Sequence, residues 1–223
     1  MAPGTDPREI AELKALARER HVPFEVVEKK TINSVVRGNH QGVAVQIDSI
    51  APMEFKAFLE SLEIGPGTFV CLLDDIQDPQ NLGAIIRNAV CFGCAGIILP
   101  KRRSAGISPG VMKASSGALA HCPVAQIANL GVAVERLKEK GFSIVGTDAV
   151  GAGFKTAPTV EPLPQAHFDF PLGLMLGNES QGIKPTLKKS CDKLIHIPQE
   201  SPIASLNVSS ASAILFYAIT RPR

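Results

Sequence analysis

The chain has no tryptophan, one tyrosine and only 5% aromatic residues. That argues against a surface that binds single strands by stacking bases on successive rings. No apolar run reaches the roughly 18 residues of a membrane span. The opening residues, Met1-Ala2-Pro3-Gly4-Thr5-Asp6, show no apolar stretch of a secretory signal. Neither charge sign dominates: 23 Lys and Arg against 21 Asp and Glu give a formal net charge of +2. That balance tolerates a nucleic-acid partner without pointing to one. The five cysteines are an odd, sparse set, which implies reduced thiols and a cytoplasmic location. Cys91-Phe92-Gly93-Cys94 has C-x-x-C spacing but no second pair. It reads as two small buried thiols at a helix end rather than a redox or metal site.

Several catalytic signatures are also missing. No G-x-G-x-x-G follows the first strand-like run, so a dinucleotide fold is disfavoured. Gly177 to Gly182 has the glycine spacing of a P-loop, but Ile183 stands where the phosphate-binding lysine belongs. G-x-S-x-G is absent, which removes the usual hydrolase elbow. His21, His40, His121, His167 and His196 are scattered without ligand spacing, so no metal is expected.

What is present is a globular composition, 45% hydrophobic and 20% charged over 223 residues, enough for one or two domains. Residues 7–20 predict an amphipathic helix with Ile10, Leu13 and Ala17 on one face and Asp6 as N-cap. Phe24–Val27 and Gly42–Ile47 read as short strands, with a helix or turn over 31–37 between them. This segment, 1–47, predicts a small α/β unit with a marginal core. Residues 48–66 read as a connector carrying one helix, Met53 to Leu62, and ending at the breaker Gly65-Pro66-Gly67. From 67 to 223 the pattern changes. Continuous apolar runs at 69–73, 96–99, 143–146 and 172–176 are strands buried on both faces, the mark of a parallel sheet. Helical patterns at about 82–92, 130–140 and 184–191 alternate with them, which predicts a layered α/β domain closed by a helix over 205–219.

Three polar clusters fall at the C-terminal ends of these strands, the edge where open α/β sheets bind ligands. The first is Asp74-Asp75-Ile76-Gln77-Asp78-Pro79-Gln80-Asn81, running on to Arg87-Asn88-Ala89. The second is Gly177-Asn178-Glu179-Ser180-Gln181-Gly182. The third runs from Ile197-Pro198 to Ser205-Leu206-Asn207-Val208. Together they resemble motifs 1, 2 and 3 of the SpoU/TrmH class of RNA ribose 2′-O-methyltransferases, in the SPOUT superfamily. The likeness spans about 69–220. Pro100 to Ala105, Lys113 to Ala118 and His40-Gln41-Gly42-Val43 resemble the RlmB-type branch, which methylates guanosine in 23S rRNA.

The resemblance implies a SPOUT-type parallel-sheet domain with a C-terminal trefoil knot, a rare departure from unknotted topology. It implies S-adenosylmethionine as methyl donor, no metal, a structured RNA substrate, and a homodimer with its active site at the subunit interface. Asn81, Arg87, Glu179, Ser205 and Asn207 take the catalytic positions. Arg87 matches the residue assigned to activating the hydroxyl. Because guanidinium is a poor base, binding a phosphate or stabilising the developing alkoxide is an equal reading. Glu179 has three roles open to it: orienting Asn81, pairing with Arg87, or accepting a proton. Ser205 either lies near the methyl or caps the last helix. Gly177, Ile197 and Leu206 imply backbone contacts to the donor, alongside a packing role, and Thr147 flanks them. Lys101-Arg102-Arg103, Lys113, Arg37 and Gln41 are candidate RNA contacts. Lys184, Lys188, Lys189 and Lys193 read instead as the exposed face of a helix. Ser201-Pro202 departs from the glycine expected in motif 3. The accessory segment resembles only the second half of its counterpart, so truncation or reduction is expected. The alternatives are tRNA ribose methylation and a non-catalytic RNA-binding assembly factor that keeps the knot.

Overall fold

The computed structural model describes residues 6–36, 40–47, 50–148, 160–178, 180–200 and 205–221. Contacts divide the chain into two units, Met1–Ser49 and Ile50–Arg223.

In the first unit, α1 (Pro7–Glu19) begins where its sequence dictates. The Asp6 carboxylate accepts the Arg8 amide at 2.8 Å, and Pro7 occupies the first turn. Helix α2 (Lys29–Val35) buries Ile32. His40 then shapes a tight turn. Its Nδ1 accepts the Gly42 amide at 3.0 Å, which leaves Nε2–H to donate to Asn33 Oδ1 at 2.8 Å. The two expected strands do not form: 24–27 and 42–47 carry no strand pairing. Period-2 patterning needs a partner ladder and a core to face. Here Val26, Val45 and Ile47 are all exposed, and Ile32 is the only buried large apolar residue among those described. The expected α/β unit is therefore helical in its described part.

The second unit is an eight-stranded, all-parallel sheet in the order β1-β4-β3-β2-β7-β5-β8-β6. The strands are β1 (Met53–Glu54), β2 (Phe69–Asp74), β3 (Ile97–Pro100), β4 (Val124–Ile127), β5 (Ser143–Thr147), β6 (Val160–Pro162), β7 (Leu172–Gly177) and β8 (Lys193–His196). All four continuous apolar runs became strands. The short β1, β4, β6 and β8 were missed, because two to four residues are too few to carry a readable period. Residues 53–62, expected within a connector, supply β1 and helix α3 (Phe55–Ser61) to this unit. Phe55, Phe58 and Leu59 fall at i, i+3, i+4 and are buried.

Alternation along β2 separates two cores. Phe69, Cys71 and Leu73 face α4 (Pro79–Cys91), α5 (Pro109–Ala114) and α8 (Val208–Thr220). Val70 and Leu72 face α3, α6 (Leu130–Glu139) and α7 (Pro185–Lys188). Helix α5 was not expected. It is six residues long, capped by the Ser108 hydroxyl with Pro109 in its first turn. It lies close on α4 because Gly83 has no side chain: a Cβ there would meet Ala114 Cβ at 2.4 Å and the Ser115 amide at 2.8 Å. The expected C-terminal trefoil knot falls partly on residues outside those described, among them 201–204.

Candidate active site

The C-terminal ends of β2, β7, β5 and β8 lie side by side, and the three polar motifs leave the sheet there. Motif 1 starts α4. Asp78 is the N-cap, accepting the amides of Gln80 at 3.1 Å and Asn81 at 3.3 Å, and Pro79 fixes the first turn. Motif 3 starts α8 in the same way. Its N-cap is Asn207, whose Oδ1 accepts the Ser209 amide at 2.9 Å. Ser205 therefore does not cap this helix; it is half-buried just ahead of it.

The two helix starts are joined directly. Asn207 Nδ2 donates to Asn81 Oδ1 at 2.9 Å, across 126 residues of sequence. Asn88, seven residues after Asn81, lies on the same stripe of α4. Its Nδ2 donates to the Ser209 carbonyl and to the buried Ser212 hydroxyl, both at 2.9 Å. Sequence reasoning passed over Asn88, although a second amide one heptad from the first is a readable signal for a helix–helix seam.

Motif 1 also meets motif 2. Asp75, in a left-handed conformation at φ 63°, accepts Gln77 Nε2 at 2.6 Å and Asn178 Nδ2 at 3.3 Å. Asn178 Oδ1 in turn accepts the Gln181 amide at 2.7 Å, and the Gly182 amide donates to the Asn178 carbonyl at 2.9 Å. The loop folds so tightly that Gly177 must be glycine: a Cβ there would sit 2.0 Å from the Gly182 carbonyl carbon and 2.2 Å from the Ile183 nitrogen. Glu179 and Arg37 lie outside the described residues, as do Ser201 and Pro202.

Arg87 is exposed on α4, and its Nη1 donates to Ser116 Oγ at 3.3 Å. Six residues place it about 120° around the helix from Asn81, so the two do not share a face. Thr147 donates its hydroxyl to the Met175 carbonyl at 3.2 Å. Ile197 follows β8 and is half-buried, while Leu206 is exposed beside the start of α8. Buried beside that edge, His196 Nδ1 has no hydrogen-bond partner. Lys101 forms an ion pair with Glu54 at 3.1 Å. Arg102 and Arg103 are exposed, and the loop they sit on is pinned to motif 1 by the Ala105 amide donating to the Ile76 carbonyl at 2.9 Å. Lys113 stands in the last turn of α5, and Gln41 is exposed in the first unit.

Of the four lysines expected on one exposed helix face, Lys189 is exposed at the end of α7, and the other three are placed otherwise. Lys184 bonds the buried Asp74 carboxylate twice: its ammonium reaches Oδ1, and its amide donates to Oδ2 at 3.0 Å. Lys188 pairs with Asp148 at 2.7 Å, both side chains being at least 90% buried. Lys193 is on β8 and pairs with Glu161 at 3.1 Å. Four residues of helix are too few for an exposed stripe, and the nearby buried carboxylates capture the cations.

Four of the five thiols are buried and held in the protonated form by their environment. Burial, reinforced by the neighbouring Cys94 and Cys122, pushes Cys71 far up, and burial raises Cys122 to about 12. Burial also raises Cys191 to about 12, Lys138 opposing and Asp192 adding. Cys94 is buried and bonds the Gly96 carbonyl, but Cys91 is exposed, not buried as expected. Among the described residues no cluster of His, Cys, Asp and Glu is placed to hold a metal, and no helix is long and apolar enough to cross a membrane.

The parallel sheet brings its motif loops together at the edge where open α/β sheets bind ligands, and the relatives say which class this is. The chain belongs to the SpoU rRNA Methylase family, whose model matches residues 68–217. Residues 2–53 match the model for RNA 2′-O ribose methyltransferase substrate binding. The chain is 35% identical over 224 residues to the putative TrmH family tRNA/rRNA methyltransferase YacO of Bacillus subtilis, covering 100% of this chain and 87% of that one. It is 42% identical over 209 residues to an uncharacterized tRNA/rRNA methyltransferase, slr0955, of Synechocystis, covering 93% of this chain but only 52% of that longer relative. The fold is shared with an AdoMet-bound rRNA methyltransferase from Sinorhizobium meliloti, at TM-score 0.74 and 23% identity over 96% of this chain and 77% of that one. The SpoU methyltransferase AviRb from Streptomyces viridochromogenes aligns at TM-score 0.62 and 26% identity, over 73% of this chain and 62% of that one.

Proposed function

We propose that this protein transfers the methyl group of S-adenosylmethionine to a ribose 2′-hydroxyl of a structured RNA, a guanosine of 23S rRNA being the substrate. The observation that carries this reading is the Asn207–Asn81 hydrogen bond, which brings motifs 1 and 3 to one point of the strand edge. The donor fits that edge. Gly177, Thr147, Ile197 and Leu206 sit at the ends of adjacent strands or at the start of α8, and the unpartnered His196 Nδ1 lies beside them. Bound there, S-adenosylmethionine supplies an electrophilic methyl on a sulfonium leaving group, so the protein's task is to place and activate the hydroxyl. Asn81, Glu179, Ser205 and Asn207 are assigned to positioning the ribose. Arg87, a guanidinium and so a poor base, stabilises negative charge developing on the 2′-oxygen.

Because Arg87 and Asn81 face apart on α4, one chain presents them to different places. A homodimer resolves this, with Arg87 of one copy serving the site of the other. Ile214 and Tyr217 on the outer face of α8 are 40% and 56% exposed, and the Phe92 ring meets Tyr217 edge-on at 6.3 Å. That apolar face suits a second copy. The trefoil knot belongs to the same reading and follows from the family likeness, with β7 lying between β2 and β5 and β8 beyond β5. Arg102, Arg103, Lys101 and Lys113 form the basic approach for the RNA backbone, with Arg37 and Gln41 on the accessory unit adding contacts.

The test is transfer of radiolabelled methyl to total rRNA and total tRNA from cells lacking the protein, with the labelled nucleoside identified. A 2′-O-methylguanosine in 23S rRNA is the expected product. Label in tRNA keeps the chemistry and overturns the substrate. No transfer and no donor binding favours the non-catalytic assembly factor.

A further inference from the structure

Helix α7 follows motif 2 directly and carries two cations one turn apart. Lys184 at its N-cap engages Asp74 at the end of β2. Lys188 engages Asp148, the residue after β5. In the sheet β2 and β5 are the two neighbours of β7. The helix leaving β7 is thus fixed to the strand end on either side of it. Asp74 is 1% exposed, and the Lys188 and Asp148 side chains are 9% and 8% exposed. Charges buried this deeply add little net stability, because desolvation cancels most of their attraction and a well-packed apolar pair does as well. What an ion pair supplies that an apolar contact does not is a defined direction and distance. Both pairs locate the same thing: the span from Gly177 to Ile183 and the strand ends beside it. The Asp148 amide donates to the Ile195 carbonyl at 2.9 Å, so the second pair also sets the approach of β8, which leads into Ile197.

We propose that Lys184 and Lys188 are positioning residues for methyl transfer. By clamping α7 across β7 they hold the motif 2 backbone and the ends of β5 and β8 in the arrangement that binds S-adenosylmethionine. This rests on the donor assignment made above. Neither lysine touches the reacting atoms; both act through the loop backbone.

The experiment measures donor affinity by calorimetry, with kcat and KM for donor and RNA, in the full chain. The variants are Lys184→Met, Lys184→Arg, Lys188→Met and the double variant Asp148→Leu/Lys188→Met, each checked for folding by thermal melting. Lys184→Met is expected to weaken donor binding by about tenfold or more, since small misplacements at a binding site have large effects. Its KM for RNA should stay unchanged, and Lys184→Arg should restore donor affinity. Lys184→Met leaves Asp74, and Lys188→Met leaves Asp148, buried without its ammonium, so the melts decide which single variants are read. The double variant removes both charges and should melt near the wild type while still binding the donor poorly. Folded Lys184→Met and double variants with wild-type donor affinity overturn the proposal. Wild-type protein that binds no S-adenosylmethionine overturns the donor assignment, and the clamp's role falls with it.

Discussion

Arg87 is the residue whose loss separates chemistry from binding. It is exposed and its one described bond is a long one to Ser116, so Arg87→Ala should leave the melting temperature and donor affinity nearly unchanged. Methyl transfer should fall by about 100-fold or more, the scale on which removing a donor to a developing oxyanion acts. Equal loss of donor binding, measured by calorimetry, would sink that assignment. Gly177→Ala is the opposite case. Its added Cβ would collide with backbone rather than a movable side chain, so the motif 2 loop must shift. The expected outcome is a loss of about 1–3 kcal/mol in stability by denaturant titration, with donor binding weakened before catalysis. The thiols give a third test. In the native protein only the exposed Cys91 should react quickly with a thiol reagent, and all five should react in denaturant. Cys122 and Cys191 titrate near 12 when folded, above the ordinary thiol value. The folded state therefore holds these protons more tightly than the unfolded chain. Their contribution to stability is fully present below about pH 8.5 and is lost as pH rises toward 12. Melting temperatures measured across that range should fall, and a flat profile would refute the burial argument.

At the scale of elements, the seam between α4 and α8 holds motifs 1 and 3 together. Asn88→Ala removes both of its hydrogen bonds to α8 and should cost about 1–2 kcal/mol in a chemical denaturation experiment. Because Asn81 stays in place, activity per folded molecule should fall only modestly. A variant as stable as the wild type would show that the Asn81–Asn207 bond carries the seam alone. The four long apolar runs were legible as strands because both of their faces are buried, which turns alternation into continuity. Helices α4 and α8 were legible from their apolar periodicity, but their starts were not: the caps are Asp78 and Asn207, where the sequence pattern begins the helices at about 82 and 205. The short edge strands were illegible because their pairing is decided by neighbours far away in sequence. The roles of Lys184 and Lys188 were hidden in the same way. A lysine's default is solvent, and only the buried carboxylates Asp74 and Asp148, 110 and 40 residues away, overrule it. The motif residues were named by the likeness of the three polar clusters to a known family. That Asn81 would bond Asn207, and that Arg87 would face elsewhere, could not be read from it.

At the scale of the whole molecule, the outer face of α8 is the test of assembly. Tyr217→Lys places a charge in the middle of the apolar face, where a partner surface would have to desolvate it. Sedimentation should show the wild type as a dimer at micromolar concentration and the variant shifted to monomer, with methyl transfer lost alongside. A monomeric wild type with full activity would remove the interface from the mechanism. The position of β7 carries one more consequence, for how the protein is made. Among the described residues β5 pairs with β7 and β8 alone, so when a ribosome has produced the first 150 residues that strand has no partner from the described sheet. β2, already joined to β3, keeps one open edge until β7 arrives. The middle of the sheet is completed only after residue 177 has emerged, and until then the nascent chain must carry a wholly unpaired β5 and one open edge of β2.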